Sequence, residues 1–221
     1  MTPKLKICGI TRLEDARFCA AAGADYLGFI QHEKSPRYVD PDRAKQIIDW
    51  VHGPQAVGVF VNASADTVNR TASEAGFALV QLHGDETPEL CAAIDPPVIK
   101  ALRVRKGWTA GEVRRALIPY AGVAEYFLLD TYSEAAHGGT GEPFDWPAAG
   151  GLGDEFKIFL AGGLGVVNIG AAVSAVRPFA VDLSSSVESE PGKKDLDKLA
   201  DFFESFDAIR LKPIRRADDG A

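Results

Sequence analysis

Short apolar runs recur at near-even intervals along the chain, and helix-like segments lie between them. Eight runs read as β-strands: 4–8 (KLKIC), 25–30 (DYLGFI), 55–61 (QAVGVFV), 78–82 (ALVQL), 97–102 (PVIKAL), 125–129 (EYFLL), 156–161 (FKIFLA) and 179–183 (FAVDL). Several are nearly continuous in apolar residues, as expected of parallel strands covered by helices. Helices are predicted over 12–22, from Asp40-Pro41 to about 51, and over 64–75, 86–94, 109–118 and 165–176. A last helix, about 193–207, places Leu196, Leu199, Ala200, Phe203 and Phe206 on one face. The Gly- and Pro-rich stretch 130–155 must hold the sixth crossover, with a short helix around Trp146 to Gly151. A connection this long inside a compact domain is usually functional.

Eight β-α repeats of about 25–30 residues predict a (βα)8 TIM barrel of eight parallel strands. A doubly wound sheet is the competing fold. Even strand spacing and the lack of a dinucleotide fingerprint after strand 1 favour the barrel. Residues 1–209 would form the catalytic barrel, and 210–221 a charged, frayed tail.

Composition narrows the setting. A formal net charge of −7 argues against a broad nucleic-acid-binding surface. Cys8, Cys19 and Cys91 are odd in number and widely spaced, with no C-x-x-C, which argues against a disulfide framework or zinc site and for a reducing compartment. The N-terminus lacks a charged segment followed by an apolar stretch. No apolar run approaches the roughly 20 residues that cross a bilayer. A cytoplasmic protein with no membrane or nucleic-acid partner is expected.

A barrel of this kind carries its active site at the C-terminal ends of the strands. Polar or small residues sit at all eight ends: Cys8-Gly9, Gln31-His32, Val61-Asn62, His83-Gly84, Arg103, Asp130-Thr131, Gly162-Gly163 and Ser184-Ser185. Strand side chains alternate, so if Leu5 and Ile7 face the helices, Lys6 and Cys8 face the axis. Asp130 shares a face with Leu128 and Tyr126. Cys8 and Asp130 could then act as base and acid across the mouth. From position alone Cys8 reads rather as an inert buried thiol, and Asp130 equally as a loop-capping carboxylate. Lys6 is either a solvated rim charge or a stabiliser that lowers the Cys8 pKa.

Gly162 and Gly163 after strand 7, with Ser184, Ser185 and Ser186 after strand 8, suit a phosphate held by backbone N–H groups. Gly139, within "HGGTG", could belong to a third anion-contacting loop or a lid. Arg37, in "SPRY" after strand 2, offers a bidentate fork for a carboxylate or is a surface arginine. His83 is a polar contact at the mouth or a satisfied strand-end histidine. Cys19 and Cys91 read as structural.

"KICGIT", "SPRYV", "VGVFVN", "VQLHGDE", "LLDT…GGTG..FDW", "LAGGL…N" and "VDLSSSVES.PG.KD" occur in order over about residues 4–207. Together they resemble the phosphoribosylanthranilate isomerase family. The resemblance implies a cofactor-free Amadori rearrangement in tryptophan biosynthesis, turning N-(5-phosphoribosyl)anthranilate into 1-(2-carboxyphenylamino)-1-deoxyribulose 5-phosphate. It implies Cys8 as general base, Asp130 as general acid, Arg37 on the anthranilate carboxylate and the strand 7 and 8 turns on the phosphate. It also implies a small phosphorylated substrate, and a monomer ahead of a dimer. The family pattern has glycine where Ser186 stands, which bears on the phosphate turn through a positive φ or added room. Rival readings are an epimerase or a histidine-pathway isomerase, which pair two aspartates or use a metal, and an idle phosphate-binding barrel.

Overall fold

The computed structural model describes residues 2–131 and 146–211. Eight parallel strands close into a barrel in sequence order: β1 (Lys4–Cys8), β2 (Tyr26–Ile30), β3 (Gln55–Phe60), β4 (Leu79–Leu82), β5 (Val98–Val104), β6 (Tyr126–Thr131), β7 (Ile158–Leu160) and β8 (Ala180–Leu183). The (βα)8 barrel expected from the apolar runs is therefore the fold. Pairing of β1 with β8 completes the ring, with Lys6 opposite Asp182.

The helices are α1 (Leu13–Ala21), α2 (Pro41–Asp49), α3 (Ala65–Ala75), α4 (Pro88–Ala92), α5 (Ala110–Leu117), α6 (Ile169–Val176) and α7 (Leu196–Arg210). Their starts follow local chemistry. Asp40, Ser64, Thr87 and Thr109 each accept a backbone N–H in the first turn, and Pro41 and Pro88 stand where an N–H would go unused. Gly76 ends α3 in the left-handed conformation at φ 79. Within the described part of the sixth crossover, 3-10 turns at Trp146–Ala149 and Leu152–Asp154 take the place of a full helix.

Two apolar layers result. Leu5, Ile7, Phe29, Leu82, Leu129 and Leu160 point outward into the helix-covered core. Tyr26, Val57, Leu79, Ile99, Leu128 and Phe159 fill the barrel interior. The interior apolar layer forms a floor, and polar side chains at the strand ends stand above it. The predicted parity on β1 holds, since Lys6 is fully buried inside the ring rather than on a solvated rim.

Two expectations at the C-terminal end need correction. The buried face of α7 is Leu199, Phe202, Phe203 and Phe206, while Leu196 and Ala200 are exposed. The helix starts later than its apolar period suggested because 188–194 forms a small antiparallel hairpin, β9 (Glu188–Glu190) and β10 (Lys193–Lys194). Arg210, assigned to the tail from its charge pattern, ends α7 and is anchored on Asp25 and the Pro3 carbonyl. Residues 212–221 lie outside the described residues. Among the described residues, no helix is long and apolar enough to cross a membrane.

Candidate active site

Strand register assembles the site. Cys8 is the register partner of Gly28, Lys6 of Asp182, and Arg103 of Asp130. Cys8 is 6% exposed. A Cβ on Gly28 would stand 2.8 Å from the Cys8 Sγ and 3.2 Å from the Lys6 Nζ. The glycine thus leaves the space into which the thiol and ammonium fit, a common reason for glycine inside a strand.

Lys6 Nζ donates to Asp182 Oδ1 at 2.9 Å, and its ammonium and the Cys8 thiol border the same space over Gly28. Burial alone would favour a neutral amine, but Asp182 and Cys8 outweigh it and hold the Lys6 pKa above the ordinary lysine value. Burial pushes the Asp182 carboxyl up, against the pull of Lys6. The expectation that Lys6 gives Cys8 a lowered pKa is not met. Burial pushes the Cys8 thiol above its ordinary 9.0, and Asp182 adds to the rise. Lys6 and Lys194 pull it back only in part. The resting site therefore holds a neutral thiol beside a permanent cation.

Across the mouth, Asp130 Oδ2 lies 3.6 Å from His83 Nε2. Gln81 Nε2 is 2.7 Å from His83 Nδ1. With that amide donating, the ring proton sits on Nε2 and faces Asp130. Arg103 donates from Nη2 to the His83 carbonyl at 2.9 Å. His83 is thus held from both sides at the strand end. The "HGDE" turn that follows is pinned from within. Glu86, 3% exposed, accepts from the backbone of Asn62 and Gly84, and Lys100 Nζ donates to it at 2.6 Å.

Arg37 is partly buried and already paired. Its Nε and Nη2 donate to Glu188 at 3.0 Å to Oε1 and 2.7 Å to Oε2. This edge-on fork leaves Nη1 and the second Nη2 proton for a further carboxylate, since a guanidinium carries five donors in one plane. The Arg37 stem packs over Gly9, whose φ is 78 and whose absent Cβ would stand 2.9 Å from Cδ. Gly9 thus turns the chain and also makes room for the arginine.

The turn after β7 carries Gly162 and Gly163 at φ 86 and 62, both in the region that favours glycine. Asn168 clamps that turn, accepting from Gly165 N and donating to the Gly163 carbonyl, each at 2.8 Å. Ser184 and Ser185 are half-buried beside it, with Ser185 opening a 3-10 turn at Ser185–Val187. The only described non-glycine residues at positive φ are Asn62 and Arg177, so Ser186 needs no conformation that serine avoids. Gly139 lies outside the described residues.

Sequence reasoning therefore named Cys8, Lys6, Arg37, His83, Asp130 and the glycine- and serine-rich turns after β7 and β8, and the structure brings them to one end of the barrel. It missed Asp182, Gly28, Gln81, Glu188 and Lys194. Strand parity from Lys6 and Ser184 would have found Asp182, and glycine in mid-strand would have marked Gly28. Glu188 and Lys194 lie within the quoted "VDLSSSVES.PG.KD" stretch, but nothing local gave either a role. Among the described residues, no group of three His, Cys, Asp or Glu side chains is placed to hold a metal ion.

The family model described as N-(5'-phosphoribosyl)anthranilate (PRA) isomerase matches residues 5–205. The N-(5'-phosphoribosyl)anthranilate isomerase of Geobacter sp. (strain M21) is 51% identical over 200 residues, covering 90% of this chain and 95% of that protein. A dimeric phosphoribosylanthranilate isomerase from Thermotoga maritima, solved as generated monomers, superposes with a TM-score of 0.80 at 40% identity, covering 93% of this chain and 99% of that one. A phosphoribosyl anthranilate isomerase in complex with reduced 1-(o-carboxyphenylamino)-1-deoxyribulose 5-phosphate superposes with a TM-score of 0.81, also at 40% identity and with the same coverage. By fold, ordered motifs and near full-length similarity, the chain belongs to the N-(5'-phosphoribosyl)anthranilate isomerase family.

Proposed function

We propose that the chain converts N-(5-phosphoribosyl)anthranilate into 1-(2-carboxyphenylamino)-1-deoxyribulose 5-phosphate, using Asp130 as acid and Cys8 as base. The observation that carries this reading is the placing of a thiol beside a buried ammonium and a carboxyl beside His83 at one barrel mouth. Asp130 gives its proton to the furanose ring oxygen as the C1–O bond breaks. The anthranilate nitrogen supplies its lone pair and becomes an iminium. Cys8, as thiolate, takes the C2 proton, and the C–H electrons form the C1=C2 bond while the nitrogen regains its pair. The resulting enolamine tautomerises to the ketone. Lys6 provides fixed positive charge for the thiolate, and the developing iminium adds a transient one, since opposite charge nearby favours the ionised form.

The unengaged edge of Arg37 takes the anthranilate carboxylate end-on. Backbone N–H groups at Gly162, Gly163, Ser184 and Ser185 take the phosphate, and His83 holds Asp130 in place. One barrel carries both described catalytic groups, so a single copy suffices for the chemistry, and the work belongs to the cytoplasm, where thiols stay reduced. The rival with two aspartates has a candidate pair in Asp130 and Asp182, but Asp182 is tied to Lys6, which removes it from acid–base work.

The test is rescue of an isomerase-lacking tryptophan auxotroph by the wild type, Cys8→Ala and Asp130→Asn. Rescue by the wild type alone is expected. A soluble wild type that fails to rescue overturns the function, and full activity in Cys8→Ala overturns the mechanism.

A further inference from the structure

The motif that runs from Glu188 to Asp195 is absorbed neither by the chemistry nor by the phosphate turns. Its lysine is unusual. Lys194 is 3% exposed, and its ammonium has three acceptors: the Cys8 carbonyl at 2.6 Å, the Ser184 carbonyl at 3.1 Å and Glu188 Oε1 at 3.0 Å. An ammonium has three donors, so every proton is used. The three acceptors belong to the end of β1, the turn after β8 and the carboxylate that grips Arg37.

The seat of this lysine is rigid. Its backbone N–H donates to Asp15 at 3.1 Å, and Gly192 N donates to Glu188 Oε1 at 3.3 Å. Gly192 has φ 84, and its hairpin lies against the strand 2 loop, where a Cβ would stand 3.3 Å from the Pro36 carbonyl. Lys198 Nζ donates to the Glu188 carbonyl at 2.8 Å. Glu188 is therefore fixed by its backbone, by Lys194 and by the hairpin before Arg37 reaches it.

We infer that Lys194 is a positioning residue for the isomerisation: its buried ammonium sets the end of β1 beneath Cys8 and the strand 8 turn, and through Glu188 it aims the open edge of Arg37 at the substrate carboxylate. The inference rests on the proposed function, in which Cys8 and Arg37 act on that substrate. Removing a buried ion pair together need not destabilise a protein, whereas removing one partner strands a charge. That difference separates positioning from mere support of the fold.

The experiment compares wild type, Lys194→Met, Glu188→Gln and the double variant Lys194→Met/Glu188→Gln in melting temperature, kcat and KM. Lys194→Met should lower kcat/KM on the order of 100-fold, the cost typical of a reacting group displaced by about 1 Å, through both kcat and KM. Glu188→Gln should act mainly on KM, because it loosens Arg37 and not Cys8. The double variant should regain the part of the melting temperature that Glu188→Gln loses by stranding Lys194, Arg37 staying without its carboxylate in both, and should not regain kcat/KM. A double variant with wild-type kcat and KM overturns the inference, and so does failure of all three variants to fold, which would assign the network to stability alone. An inactive wild type overturns the functional reading and this inference with it; an active wild type beside a fully active double variant overturns this inference only.

Discussion

Cys8 occupies the space that a side chain on Gly28 would need: a Cβ there would stand 2.8 Å from the sulfur. The two residues are register partners on adjacent strands, so neither can move without breaking the β1–β2 ladder. Gly28→Ala should therefore push the thiol out of line and leave the remote anion sites alone. A fall in kcat on the order of 100-fold with KM little changed is expected, read from steady-state kinetics. An unchanged kcat would show that the thiol position is not critical.

Burial holds the Cys8 pKa above the ordinary 9.0. A base works only when deprotonated, so kcat/KM and the rate of Cys8 alkylation should both still climb as pH rises past that value. Replacement of Asp182 by Asn removes a carboxylate that raises the thiol pKa and that chiefly opposes burial at Lys6, so the Lys6 ammonium is left with the Cys8 thiolate as its anionic partner. Alkylation of Cys8 near neutral pH should then be faster in Asp182→Asn than in wild type, followed by mass spectrometry of the Cys8 peptide. The same change strands a buried cation and should cost about 3–5 kcal/mol of stability.

Cys19, on the buried face of α1, is pushed from 9.0 up to about 12 by burial. A group whose folded pKa is raised gives stability that is complete below the unfolded pKa and withdrawn as pH rises toward the folded one. The loss should begin near pH 9 and continue to about 12. One pH unit into that window corresponds to roughly 1.4 kcal/mol, or about 3–6 °C in melting temperature for a chain of this size. Thermal melts of wild type and Cys19→Ala should differ in slope against pH there and run parallel below it.

Glu86 satisfies two backbone N–H groups and the ammonium of Lys100 at once. Glu86→Gln keeps an acceptor for the backbone but strands the lysine charge. A loss of about 3–5 kcal/mol is expected, measured by denaturant unfolding. Lys100→Met/Glu86→Gln should lose less than Glu86→Gln alone.

The legible part of this molecule was the part written locally. Eight apolar runs located eight strands because a parallel strand is buried on both faces. Cys8 and Asp130 were singled out because parity and strand ends are properties of a few consecutive residues. Arg37 was found as a fork but not as a fork already half engaged, because Glu188 lies 151 positions away. The same distance problem hid Asp182, which meets Lys6 across 176 positions. The sign of the Cys8 shift was misread for another reason. A neighbouring lysine is visible in sequence, while the depth of burial that overrides it exists only after closure. Arg210 was read as tail from its charges, and only the fold shows it reaching back to Pro3 and Asp25.

Lys194 meets the Cys8 carbonyl across 186 positions of chain, and β1 finds its second neighbour only in β8. A ribosome thus delivers the thiol-bearing strand first and the groups that orient it last. Until β8 has emerged, β1 has one unpaired edge, and until the hairpin follows, the arginine fork has no anchor. Both the second edge of β1 and the seat of the Cys8 carbonyl are therefore completed only by the last fifth of the chain.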